Sequence, residues 1–98
     1  MIPSRLATRE RRRWKREWLN RSVRVLTPTV EIHGFGIKVS RGGIYLFALA
    51  DLPIGIQVTI EYEQPRSNEL VRISGTVRHR AVYLYGLEFV KSEAAVLA

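Results

Sequence analysis

Ile56-Gln57-Val58-Thr59-Ile60-Glu61-Tyr62 decides the fold class. Large apolar side chains recur at every second position, and only an extended strand puts such a set on one face. The same period runs through Val71-Arg72-Ile73-Ser74-Gly75-Thr76-Val77-Arg78 and through Tyr85-Gly86-Leu87-Glu88-Phe89. Upstream it reappears in Val23-Arg24-Val25. Between these runs stand turn signals: Thr27-Pro28, His33-Gly34, Arg41-Gly42-Gly43, Pro53-Ile54-Gly55 and the loop from Gln64 to Glu69. The pattern predicts six short strands near residues 22–26, 30–40, 43–48, 55–63, 70–81 and 84–90.

Six antiparallel strands with one apolar face each must stack as two sheets or close on themselves. Closure into a small barrel suits the chain length and removes exposed edges. Gly34, Gly36, Gly75 and Gly86 fall inside strand-like runs, where bulges and sharp bends are expected. The expected architecture is an all-β, six-stranded antiparallel barrel over residues 22–91. It carries a basic arm over residues 1–21 and a tail over residues 92–98. The alanine-rich end of the chain is compatible with a short C-terminal helix of one or two turns. The arm itself has two readings. Residues 9–19 contain good helix formers and place Trp14 and Trp18 on one helical face, whereas an extended arm laid on the barrel fits equally well.

Ninety-eight residues suffice for one modest core, and the mixture of 46% hydrophobic and 26% charged residues is that of an ordinary globular domain. The longest mostly apolar stretch, residues 44–56, is interrupted by Asp51 and Pro53 and is too short to cross a bilayer. No secretory leader is evident, so a cytoplasmic location is expected. The formal charge is +7, and its placement says more than its size. Residues 1–24 hold nine basic and two acidic side chains, whereas the remaining residues hold seven of each. A neutral body with all its excess charge on one segment points to an anionic partner.

Catalysis has little to stand on, and no enzyme activity is expected. There is no cysteine, and the carboxylates are scattered. His33 precedes a glycine in an expected turn, and His79 follows Val77 by two and reads as a core or rim residue. No set of three or four ligands with metal-binding spacing occurs, so neither metal nor cofactor is expected. The basic segment is more informative. Eight of its nine basic residues are arginine, whose guanidinium binds phosphate bidentately and stacks on bases. Glu10-Arg11-Arg12-Arg13-Trp14-Lys15-Arg16 contains an Arg-x-x-x-Arg spacing at Arg12 and Arg16.

Downstream, Lys38-Val39-Ser40-Arg41-Gly42-Gly43 sets a serine and a double glycine between two strands, and Tyr85-Gly86-Leu87-Glu88-Phe89 forms the last one. Taken in order over residues 11–90, these segments resemble the PilZ domain. That family pairs Arg-x-x-x-Arg with a later Asp/Asn-x-Ser-x-x-Gly. The resemblance implies a six-stranded barrel that binds cyclic di-GMP, a bacterial second messenger, and passes the signal to an effector protein. By position, Arg12 and Arg16 are then the motif arginines, and Ser40 and Gly43 the matching barrel residues. Arg11 adds a further phosphate or stacking contact, and the glycine leaves room for the ligand. A leading segment bearing +7 repels itself, so binding is expected to close the arginine-rich arm onto the barrel.

Lys38 departs from the pattern, standing where the family has Asp or Asn. A carboxylate or amide oxygen accepts hydrogen bonds from guanine, whereas an ammonium offers three donors and no acceptor. A charged hydrogen bond contributes roughly 1.5–3 kcal/mol, so its loss weakens binding about 10- to 150-fold. Lys38 offsets this loss if it meets a phosphate or guanine O6 instead.

Trp14 has two roles open to it, stacking on guanine or pinning the arm to the barrel. Arg72, Arg78 and Arg80 alternate outward on the fifth strand and extend the positive surface if they lie beside the arm. Two alternatives compete with the receptor reading. One is a degenerate interaction module that does not bind the nucleotide. The other is a basic nucleic-acid binder, which the expected lack of paired surface aromatics disfavours. Membrane-surface attachment through a Trp14/Trp18 stripe is a weaker third.

Overall fold

The alternating segments form strands close to the expected bounds. They are β1 (Glu17–Leu26), β2 (Glu31–Val39), β3 (Gly43–Ala48), β4 (Gln57–Glu63), β5 (Leu70–Ala81) and β6 (Leu84–Phe89), with a two-residue β7 (Ala95–Val96). A computed structural model of the chain describes residues 16–90 and the backbone of residues 95 and 96. The strands run in the order β4-β1-β2-β3-β6-β5, and a further pairing of β4 with β5 closes the ring. Every pairing around the ring is antiparallel. Among the described residues there is no helix, and so none long and apolar enough to cross a membrane.

The apolar members of each alternating run fill the interior. Val23 and Val25 of β1, Leu46 of β3, Ile60 of β4, Val77 of β5 and Tyr85 of β6 are fully buried. Tyr85 carries a polar end into this core and satisfies it twice. Its hydroxyl donates to the Ala50 carbonyl and accepts from the Leu52 amide at 3.0 Å, which fastens the loop after β3. Tyr62 stacks on Phe89 with ring centroids 6.5 Å apart, and burial pushes its phenol pKa up to about 12.

Two parts of the chain differ from the sequence expectation. β1 begins at Glu17, five residues before the expected start, and Leu19 is buried. A bulge lies between Trp18 and Arg21, with Asn20 at φ 47°. Leu19 stays in phase with Val23 and Val25, yet the charged Arg21 between them hides the strand from a period count. Residues 17–19 are therefore extended rather than the end of a helix, and Trp18 is 61% exposed. Arg11, Arg12, Trp14 and the rest of the arm before Arg16 lie outside the described residues.

At the other end, Ala95 and Val96 pair with Arg72 and Val71 and are not helical. β5 has 12 residues and β6 only 6, so half of one β5 edge is left unpaired. An open ladder outcompetes a helix of one or two turns, whose nucleation is unfavourable. Residues 91–94, 97 and 98 lie outside the described residues.

Candidate functional site

A groove of about 860 Å³ crosses the outer face of the barrel, and its lining joins segments far apart in sequence. Its floor is a lateral row set by strand register. Lys38 of β2 pairs with Tyr45 of β3, Tyr45 with Gly86 of β6, and Gly86 with His79 of β5. Gly86 leaves a depression in this row, because a side chain there would touch both Tyr45 and His79. Arg16 stands at one side, before β1, and the turn from Ser40 to Gly43 forms an end. Thus Arg16, Lys38, Ser40 and Gly43 meet on one surface, while Arg11 and Arg12 lie outside the described residues.

The Ser40 turn is built by its own side chain. The Ser40 hydroxyl accepts from the Gly42 amide at 3.1 Å, and the Ser40 amide donates to the Gly43 carbonyl at 2.9 Å. That bond uses the hydroxyl as acceptor and leaves its own hydrogen available as a donor. Gly43 has a packing reason as well as any role toward a ligand. It pairs with Glu88, and a Cβ at this position would overlap the Leu87 carbonyl oxygen. Here β3 and β6 approach too closely for any other residue.

Bulges aim the remaining side chains. A register shift between Gly36 and Lys38 turns Lys38 toward the outer surface, where its ammonium lies 4.5 Å from the centre of the Trp18 ring. A second shift between Val77 and His79 leaves Arg78 as the extra residue. Beyond it the inward and outward faces exchange. His79, two residues after buried Val77, is therefore exposed on the groove instead of packed in the core.

Charge divides the site from its surroundings. Among the described residues neither Arg16 nor Lys38 has an acidic partner. The three arginines expected to extend the positive surface all have one: Arg72 with Glu61, Arg78 with Glu88 at 2.8 Å, and Arg80 with Asp51. Of these only Arg78 reaches the groove. Tyr45 and Glu88 escaped the sequence reading, and His79 reads there as core or rim, since their nearness to Lys38 depends on the β3–β6–β5 register. Gly86, already marked as a bend, was the one signal that this part of β6 is unusual.

The outer surface also overturns one expectation. Phe35 of β2 and Phe47 of β3 form a directly paired, exposed aromatic couple, and Tyr83 meets Phe47 edge-on at 6.4 Å. Phe35 and Phe47 sit in short stretches that lack clean alternation, so their outward direction is visible only in the register. Among the described residues no group of three or more histidine or acidic side chains is placed to hold a metal ion.

Comparison with protein families matches the PilZ domain over residues 10–97. A search of curated proteins returned no match.

Proposed function

The chain belongs to the PilZ domain family, known as cyclic di-GMP receptor domains, and from that premise we propose that it binds cyclic di-GMP in the groove beside Arg16. Members of this family are binding and adaptor domains, not enzymes. The observation that carries the reading is the meeting of Arg16, Lys38, Ser40 and Gly43 on one cleft. Its volume lies within the range of about 300–1,000 Å³ common for small-ligand sites. Arg16 and Lys38 are cations without carboxylate partners among the described residues, so an anion does not have to displace an existing ion pair. In this reading Lys38 serves the phosphates instead of the guanine edge, and Arg11 and Arg12 complete the phosphate cage from the arm.

Self-repulsion within a segment carrying the whole +7 opposes its closure until an anion arrives. Ligand binding then draws the arm onto the barrel, and the changed surface is what an effector protein reads. Calorimetric titration of the protein with cyclic di-GMP tests this. Saturable heat with a shallow salt dependence is expected, because the ligand has only two phosphates. No heat at high micromolar ligand would leave the interaction-module reading in its place. The nucleic-acid reading retains one specific observation, the Phe35–Phe47 couple, which offers a stacking surface. It requires a steep salt slope with single-stranded DNA or RNA.

A further inference from the structure

Lys38 removes the acceptor that would read guanine, yet the groove contains a carboxylate elsewhere. Glu88 of β6 pairs directly with Gly43 of the Ser40 turn, and it is the one acidic side chain among the described lining residues. It points outward, and its side chain is 60% exposed. Its Oε1 accepts from Arg78 Nε at 2.8 Å, which leaves Oε2 for another partner. The Arg78 guanidinium is 55% exposed too, and ion pairs this wet hold their members weakly. The same guanidinium offsets the negative charge of Glu88, so a carboxylate can stand beside a phosphate-binding site without repelling its ligand.

We infer that Glu88 accepts the N1–H and 2-amino hydrogens of a guanine of the bound dinucleotide, supplying from β6 the acceptor that β2 lacks at Lys38. This rests on the cyclic di-GMP reading above and assigns the base-reading residue within it. The two positions lie on either side of the same turn. Lys38 precedes Ser40, and Glu88 faces Gly43 across the β3–β6 ladder. Exchange of an acceptor between them keeps the donor and acceptor pattern of the groove while moving it one strand pair along.

The test compares wild type with Glu88→Ala and Glu88→Gln. Each is titrated with cyclic di-GMP and with the analogue carrying hypoxanthine, which has N1–H but no 2-amino group. Wild type is expected to favour guanine, and Glu88→Ala to weaken cyclic di-GMP binding about 10- to 150-fold, as loss of a charged hydrogen bond does. In Glu88→Ala the preference for guanine over hypoxanthine disappears, and in Glu88→Gln part of it returns through the amide oxygen. Thermal midpoints within a few degrees of wild type confirm that an exposed position was changed without unfolding. Wild-type binding with a guanine preference that survives Glu88→Ala overturns the assignment and leaves the receptor reading standing. Failure of wild type to bind either dinucleotide overturns both.

Discussion

Two outer walls of this barrel carry arginines, and they use them differently. On the wall formed by β1, β4 and β5, Glu61 is only 5% exposed and is held by Arg24 and Arg72 together. Arg24 also meets Glu31 at 3.0 Å, and Arg21 meets Glu63 at 3.7 Å. Around the β2–β3–β6–β5 groove, Arg16 and Lys38 form no ion pair with a described acid, although Glu88 lines the same groove. The first wall has closed its electrostatics within the fold. The second pairs Arg78 with Glu88 at the surface but leaves Arg16 and Lys38 open, and a family known for binding an anionic dinucleotide has the same need. Arginine content alone does not separate these walls; pairing does.

Substitutions on the two walls should separate stability from affinity. Arg16→Ala breaks the comparison hardest on the groove side: affinity for cyclic di-GMP is expected to fall about 100-fold, or about 2.7 kcal/mol, through lost charged phosphate contacts. The urea midpoint should stay at the wild-type value, and a matching loss of stability would show that Arg16 belongs to the fold. Arg72→Ala should do the converse. Glu61 stays buried with Arg24 alone, at a cost of about 2 kcal/mol; full burial of the pair would cost more. Chemical denaturation measures it, and calorimetry should find cyclic di-GMP affinity unchanged. Arg21→Ala sharpens the scale at its lower end. Its contact with Glu63 is long and wet, so less than about 0.5 kcal/mol is expected in the same denaturation experiment.

The barrel was largely legible because its strands are amphipathic and closely spaced. A period of two, with glycine and proline between the runs, fixes which side chains face inward before any pairing is known. What stayed hidden are the places where a charged residue or an extra one interrupts that period. Leu19 is core and in phase with Val23 and Val25, yet the charged Arg21 between them masks the pattern. His79 faces outward because Arg78 is inserted before it. The site divides in the same way. Arg16, Lys38, Ser40 and Gly43 were named through the resemblance of two short motifs to those of the PilZ family. Tyr45 and Glu88 became neighbours of that set only through the register of β3 against β6, which no local pattern encodes.

The bulge at Arg78 has a consequence for how this stretch of chain can vary. Exchanging the residue there leaves the backbone count intact, so the positions beyond it keep their facing. Losing Arg78 itself would restore simple alternation, with His79 directly after inward Val77 and still outward opposite Gly86. The encoding stretch can therefore accept a missing codon here as well as an altered one. A loss from a regular part of the strand would instead invert every facing beyond it. At this point the chain is free to vary in length as well as in side chain.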